Sequence, residues 1–279
     1  MESEGKKRGP LVYRQALSTR LTHWVWVVCL FFLFLSGLQI FQAHPRLYIG
    51  AESGFAYDNS VFAIGALRDG AGGLSGFTEF FGERFDTTGW LGAVEQNGQW
   101  QAKSFPSWLT IPSYRDLASG RIVHFFFAWI LVTALLVWLL SSLFSRHLTR
   151  DLLPSGEDLR AIGSDIRDHA RLRIHNRRRY GPLQKISYAV VMLVLLPLMV
   201  LSGLTMSPGM NAFAPWLVDV FGGRQTARTV HFLVMILLLG FVVVHVVMVL
   251  VAGPFNEMRS MITGWFRIDA SDEEKEGSR

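Results

Sequence analysis

The stretch RTVHFLVMILLLGFVVVHVV, from Arg228 to Val247, decides the fold. It is almost entirely apolar apart from its first residues and two histidines, His231 and His245. A helix of about 20 such residues crosses the roughly 30 Å of hydrocarbon in a bilayer. A histidine inside a membrane is costly unless it has a specific partner. We therefore predict a membrane-spanning helix in which both histidines are paired.

The chain contains four such apolar runs, and none of them includes Asp, Glu, Lys or Arg. They are residues 22–42, 122–144, 186–207 and 229–253. A soluble helix of this length would carry a charged face. We expect an all-α membrane protein, a four-transmembrane-helix bundle with a long external insert between its first two helices. With their flanking residues, the predicted spans are about 21–42, 120–144, 185–207 and 227–253.

The distribution of positive charge predicts the orientation. Most of the 27 Lys and Arg residues precede the first span, connect the second to the third, or follow the fourth. By the positive-inside rule, the N-terminus 1–20, the loop 145–184 and a disordered tail 269–279 lie in the cytoplasm. We expect a multi-pass protein of the bacterial inner membrane with both termini cytoplasmic. Because this asymmetry accounts for the formal charge of +5, the charge does not indicate nucleic-acid binding.

The predicted external insert covers residues 43–119 and is rich in glycine and aromatic residues. Within it, Asn97-Gly98 is a hairpin turn signal between two short strands, and residues 105–113 are expected to be extended. Two interpretations of the insert stay open. It is either a lid that shields the membrane domain or a docking surface for an external partner. In the cytoplasmic loop, residues 156–175 favour a helix.

Four histidines fall within the spans and pair by depth. His23 and His245 lie near the cytoplasmic side, whereas His124 and His231 lie near the external side. His231 and His245 are separated by about 21 Å along one helix, since the rise is about 1.5 Å per residue. Two imidazoles facing each other across a bundle can bind an iron axially, as in bis-histidine haem b. We expect two haem b groups.

Three of these histidines follow an arginine by three residues, which places both side chains on one helix face. The arginines are Arg20, Arg121 and Arg228, and we expect them to bind haem propionates. The predicted helices also repeat: LSGL occurs at 35–38 and 201–204, and Gly37 and Gly203 could let the haem macrocycle approach the backbone. The single cysteine, Cys29, excludes an internal disulfide, a covalent C-x-x-C-H haem and a cysteine-ligated iron–sulfur cluster.

These residues resemble the bacterial cytochrome b561 and nickel–iron hydrogenase cytochrome b family, which includes the formate dehydrogenase gamma subunit and the thiosulfate reductase cytochrome b subunit. The resemblance rests on R-x-x-H-W at 20–24, on His124, and on the spacing of His231 and His245. It implies a membrane anchor that passes electrons between quinone and an extracytoplasmic oxidoreductase, often a molybdopterin enzyme.

The resemblance also implies an exchangeable quinone near the cytoplasmic haem. The segment YGPLQK, residues 180–185, is similar to a stretch of formate dehydrogenase gamma subunits. The candidate quinone-binding residues are therefore Gln184, Lys185 and His175. The chain departs from the family pattern at Gly181, where an asparagine is expected.

The sequence thus predicts a di-haem cytochrome subunit that transfers electrons and has no catalytic residues of its own. Its partner, a periplasmic molybdopterin-type oxidoreductase, would dock on residues 43–119. One alternative is a stand-alone membrane haem enzyme that acts on superoxide or a metal. Another is a transporter or channel, for which spans without Asp, Glu or Lys provide few charged groups.

Overall fold

A computed structural model describes residues 8–54, 57–68, 73–146, 148–171 and 180–269. It contains four helices long and apolar enough to cross a membrane, which confirms the four predicted spans. These helices are Leu17–Phe41, Leu117–Phe144, Pro182–Thr205 and Arg224–Ala252. The chain is therefore a mainly helical, multi-pass membrane protein.

The described residues form helices and strands with the following bounds. The helices are α1 (Leu17–Phe41), α2 (Leu117–Phe144), α3 (Gly156–Ala170), α4 (Pro182–Val190), α5 (Leu196–Thr205), α6 (Pro208–Phe213), α7 (Trp216–Val220), α8 (Arg224–Ala252) and α9 (Pro254–Thr263). The strands are β1 (Arg8–Tyr13), β2 (Arg46–Tyr48), β3 (Ser60–Arg68), β4 (Leu74–Phe80), β5 (Glu83–Asp86), β6 (Gly92–Gln96), β7 (Gln99–Lys103) and β8 (Trp265–Asp269).

The third span is continuous but not uniform, because a π-helical turn at Val191–Leu195 joins α4 to α5. Pro197 follows this turn and has no N–H group to donate to a carbonyl of the preceding turn. A π-helical turn changes the hydrogen-bond register locally and is often found at functional sites. Tyr188 lies one turn before it, in α4.

The chain divides into two compact units. The first, here called the terminal unit, comprises residues within Met1–Val25, Thr133–Pro197 and Leu237–Arg279. The second, the insert unit, comprises Trp26–Val132 and Leu198–Ile236. The helices α1, α2, α5 and α8 contribute residues to both units.

In the terminal unit, the two ends of the described chain pair with each other. Strands β1 and β8 are antiparallel, with Tyr13 opposite Trp265. Arg14 follows β1, and its guanidinium carbon lies 4.6 Å from the ring of Tyr180 and 4.5 Å from that of Phe266. Such stacking over aromatic faces stabilises a desolvated cation, so Arg14 joins β8 to the start of the third span.

Helix α3 packs against the start of α4 through two carboxylates. Lys185 Nζ lies 2.9 Å from Asp158 Oδ2, and the two side chains are only 14% and 13% exposed. The backbone N–H of Leu183 donates to Asp165 Oδ2 at 2.9 Å. A negative charge is favourable at a helix N-terminus, so α3 stabilises the first turn of α4. The structure thus contains the predicted cytoplasmic-loop helix, as far as Ala170; the rest of the prediction, to residue 175, lies largely outside the described residues.

In the insert unit, the segment between α1 and α2 is built from strands, which the all-α expectation did not anticipate. Strands β2, β3, β4 and β5 form an antiparallel sheet, and β6 pairs with β7. The β6–β7 hairpin confirms the predicted turn, since Asn97 and Gly98 have φ values of 53° and 73°. Residues 105–113 are less extended than expected, because Ser107–Leu109 form a 3-10 turn.

The core of the insert unit joins the sheet to the helices. Leu38 and Phe41 of α1 pack with Leu47, Ile64 and Phe105. The ring of Phe232, in α8, stacks on Phe41 with a centroid separation of 4.6 Å. Each large apolar side chain removed from water contributes about 1.5–3 kcal/mol, so this cluster fixes the sheet on the ends of α1 and α8.

We predict that Gly76→Ala destabilises the insert unit. A Cβ atom at Gly76 would lie 2.2 Å from the carbonyl oxygen of Leu91 and 2.5 Å from the backbone nitrogen of Ala93. Overpacking of this kind costs about 1–3 kcal/mol. The apparent unfolding temperature in detergent should fall. Gly240→Ala is the control, since a Cβ there meets nothing within 4 Å; equal stability of both variants would contradict this packing.

Candidate metal centres

The structure brings the four span histidines together in two pairs. In the insert unit, the rings of His124 and His231 have centroids 6.4 Å apart and planes inclined at 60°. In the terminal unit, the rings of His23 and His245 show the same separation and the same angle. The pairs are those that the depth argument predicted, and each combines residues from two different helices.

The separation of each pair fits a metal bound between two imidazoles. Metal–nitrogen bonds to histidine are about 2 Å long, so two of them and half a ring on each side span roughly 6 Å. Among the described residues, no group of three or more His, Cys, Asp or Glu side chains could hold a metal. The two facing imidazoles of each pair could hold the iron of a haem b.

Hydrogen bonds fix the tautomer of His124. Ser36 Oγ donates its hydrogen to the carbonyl oxygen of Phe32 at 2.6 Å. It lies 3.1 Å from His124 Nδ1. Since the hydroxyl hydrogen is already used, His124 Nδ1–H is the donor to Ser36 Oγ. Protonation at Nδ1 leaves Nε2 with a lone pair for a metal.

His231 is held in the same way. Ser202 Oγ donates to the carbonyl oxygen of Leu198 at 2.7 Å and lies 3.0 Å from His231 Nδ1. The carbonyl oxygen of Met199, which can only accept, lies 3.1 Å from the same Nδ1. Both serines are 0% exposed. This arrangement protonates Nδ1 and leaves Nε2 available.

A glycine follows each serine and makes room for the histidine ring. A Cβ at Gly37 would lie 3.4 Å from His124 Cε1, and one at Gly203 would lie 3.2 Å from His231 Cε1. These glycines therefore leave room for the imidazole rings, whereas the sequence analysis expected them to admit the haem macrocycle. The sequence analysis missed Ser36 and Ser202, although the repeated LSGL contained the signal.

The terminal-unit pair has different surroundings. The ring of His245 stacks on Phe241 at 5.8 Å and meets the edge of Tyr188 at 6.4 Å. His23 meets the edge of Trp24 at 5.4 Å. Its Nδ1 is buried without a hydrogen-bond partner among the described residues. An orphaned buried nitrogen of this kind is costly, so His23 lacks the polar support that His124 and His231 receive.

The three predicted propionate arginines have different partners. Arg20 donates from Nη1 to the carbonyl oxygen of Ile262 at 2.6 Å, and its buried Nε has no partner among the described residues. Arg121 lies over the ring of Phe125, with 5.7 Å from Cζ to the centroid. Arg228 donates from Nη2 to the carbonyl of His44. Their role with propionates stays a prediction.

Two of the predicted quinone residues lie at the start of the third span. Gln184 hydrogen-bonds the hydroxyl of Tyr188, which itself touches the ring of His245. The ammonium group of Lys185 is instead used by Asp158. Burial alone would raise the pKa of Asp158, but hydrogen bonds from Ser155 and Lys185 hold it below its usual value. His175 lies outside the described residues.

The structure adds polar residues that the sequence did not single out. Gln15 Nε2 lies 2.8 Å from the hydroxyl oxygen of Tyr180. The rings of Tyr180 and Tyr188 are 5.8 Å apart. Glu257, in α9, is also partly buried: burial raises its pKa, and the attraction of Arg14 only partly opposes that rise. A polar cluster therefore adjoins His245 in the terminal unit.

The raised pKa of Glu257 predicts a pH-dependent stability. A carboxyl group that binds its proton more tightly when folded loses stability as the pH rises from its ordinary value of 4.5 through its folded pKa. The neutral variant Glu257→Gln should therefore unfold at a higher temperature than the wild type at pH 8. The difference should vanish near pH 4. Glu95→Gln, at an exposed residue, is the control; a less stable Glu257→Gln at pH 8 would refute this reading.

Comparisons with known proteins identify the family to which the chain is similar. A family model described as prokaryotic cytochrome b561 matches residues 14–264. The candidate protein-methionine-sulfoxide reductase subunit YedZ1 of Azospira oryzae is 27% identical over 232 residues, which cover 82% of this chain and 86% of that protein. No solved structure gives a significant match.

Proposed function

The chain belongs to the prokaryotic cytochrome b561 family, and from this premise we propose that it is a di-haem cytochrome that links membrane quinone to an extracytoplasmic oxidoreductase. The observation that carries the proposal is the pair of histidine sites with one geometry, 6.4 Å and 60° in each. His124 and His231 would hold one haem b, and His23 and His245 the second. When bound, haem b supplies reversible one-electron transfer.

We place the quinone at the polar cluster of the terminal unit. The side chains of Gln15, Tyr180, Gln184 and Tyr188 offer donors and acceptors for the two oxygens of a quinone or quinol. Oxidation of a quinol also releases protons, and the buried carboxyl group of Glu257 is a nearby acceptor. The contact of Tyr188 with His245 supports this assignment.

The partner would dock on the insert unit. Several of its large aromatic side chains are highly exposed, and they include Phe81 at 81%, Trp90 at 78% and Trp108 at 75%. Exposed aromatic residues of this kind are enriched in protein–protein interfaces. We therefore favour the docking interpretation over a lid. The molybdopterin class of the partner follows from the family resemblance.

The similarity to YedZ1 favours a particular direction of electron flow. That relative is named as a subunit of a protein-methionine-sulfoxide reductase. A reductase consumes electrons, so we propose that quinol is oxidised in the terminal unit and that electrons leave through the insert unit. A stand-alone enzyme would instead pass the electrons of quinol to superoxide or an oxidised metal ion without any partner protein.

Single alanine substitutions test the ligand assignment. His124→Ala and His231→Ala should each lose one haem and keep the other, and His23→Ala and His245→Ala should do the same. The haem content per chain is measured by pyridine haemochrome on the purified protein. His44→Ala is the control, since this exposed histidine contacts Tyr48 rather than another histidine. A His231→Ala variant that retains two haems would show the assignment to be wrong.

Cysteine labelling tests the orientation. Gln99→Cys reports on the exposed β6–β7 hairpin, and Gly163→Cys reports on an exposed position in α3 where a Cβ meets nothing within 4 Å. In spheroplasts, a membrane-impermeant maleimide should label Gln99→Cys at once and Gly163→Cys only after lysis. The native Cys29 is buried and serves as an unlabelled background. The reverse pattern would invert the proposed topology.

A further inference from the structure

We propose that Ser36 and Ser202 are positioning residues that set the redox potential of the haem site formed by His124 and His231. The inference rests on the proposed function, because it concerns iron bound by those two histidines. Each serine is assigned two roles. It fixes the tautomer of one histidine, and it increases the electron density that the imidazole gives to the metal.

Each serine hydroxyl can act toward its histidine only as a hydrogen-bond acceptor. A serine hydroxyl has one hydrogen, and in both residues that hydrogen goes to the carbonyl four positions earlier in the same helix, at 2.6 Å for Ser36 and 2.7 Å for Ser202. The oxygen lone pairs therefore face Nδ1 of the histidine as acceptors, at 3.1 Å and 3.0 Å. Both histidines of the site are therefore held by a hydrogen bond to a serine oxygen.

The same serine–histidine hydrogen bond occurs in both repeated helix pairs. The first helix of each repeated pair contributes the Ser-Gly step, and the second contributes the histidine: α1 to α2, and α5 to α8. Each serine fixes Nδ1 while the glycine beside it leaves room for Cε1, at 3.4 Å and 3.2 Å from a built Cβ. One hydroxyl placed in this way could arise from packing. Two placed identically, on both ligands of one site, indicate a function at that site.

The His23–His245 pair lacks such a hydrogen bond at His23. The Nδ1 atom of His23 is buried and has no hydrogen-bond partner among the described residues. A histidine that donates its Nδ1 hydrogen to an oxygen becomes a more basic ligand, and a more basic ligand stabilises the oxidised iron. The hydrogen bonds therefore lower the potential of the His124–His231 site and help to make the two sites unequal.

Serine hydroxyls can also occupy such positions for a reason unrelated to the histidines. Serine and threonine in apolar helices often donate to the carbonyl of residue i−4 simply to satisfy the hydroxyl. Thr205 does so, with Oγ1 2.9 Å from the carbonyl oxygen of Leu201, and it is 1% exposed. Because the Thr205 hydroxyl bonds only this backbone carbonyl among the described residues, Thr205 is a matched control in the same unit.

The test is a spectroelectrochemical titration of the purified full-length protein. Ser36→Ala and Ser202→Ala should each shift the midpoint potential of one haem to a more positive value and leave the other unchanged. The double variant should shift it further. Ser36→Thr, which restores a hydroxyl, should return the potential toward the wild type. The low-spin EPR signal of the same haem should change in the alanine variants, and Thr205→Val should change neither readout.

The outcomes separate this inference from the proposed function. Two bound haems with unchanged potentials in the double alanine variant would overturn the inference and leave the ligand assignment intact. Equal shifts in Thr205→Val would overturn it as well. If the alanine variants lose one haem, the Ser36→Thr variant shows whether the hydroxyl is responsible. Retention of both haems at the wild-type potential in Ser36→Thr supports a role of the hydroxyl. Loss of a haem in Ser36→Thr overturns the inference. Failure of the proposed function would appear instead as unchanged haem content in His124→Ala.

Discussion

The structure depends on the cost of placing four imidazoles inside membrane-spanning helices. Each imidazole has a polar N–H group and a lone pair, and hydrocarbon satisfies neither. At the insert-unit site, serine hydroxyls accept the Nδ1 hydrogens of His124 and His231, and a backbone carbonyl also accepts that of His231. The Nε2 atom of each histidine keeps its lone pair, and the centroids of the two rings are 6.4 Å apart. The iron of the proposed haem would complete the compensation.

Two features of the helices follow directly. A serine must precede a glycine on the first helix of each pair, because one fixes the imidazole and the other avoids contact with it. A histidine must then lie on the second helix at the same level. The recurrence of this arrangement in α1–α2 and α5–α8 explains why short sequence repeats occur in helices that otherwise share little beyond hydropathy.

The two units differ in ways that suit two tasks. In the terminal unit, Tyr188 contacts His245 and belongs to a polar cluster with Tyr180 and Gln15. The partly buried carboxyl group of Glu257 interacts electrostatically with Tyr188, so this unit contains groups that handle protons. The insert unit has a sheet fixed on the ends of α1 and α8 by an apolar core, and it exposes large aromatic side chains. These differences support the proposal that the protein connects a lipid-soluble carrier to a protein partner.

The sequence predicted the features that depend on local pattern. Hydropathy over about 20 residues revealed the spans, helical rise paired the histidines by depth, and Asn97-Gly98 marked the hairpin. It did not predict the sheet β2–β5, whose strands are held by pairing across the insert, or the pairing of β1 with β8, which joins residues as distant as Arg8 and Asp269. The roles of Ser36 and Glu257 were missed for the same reason, since each depends on a neighbour from another element.

The most direct measurement of the central claim is the haem b content of the purified wild-type protein, determined by pyridine haemochrome against quantitative amino-acid analysis. The account predicts two haem b groups per chain, both low-spin and both with histidine as the two axial ligands. A single haem per chain, or a second haem with any other axial ligand, would contradict it.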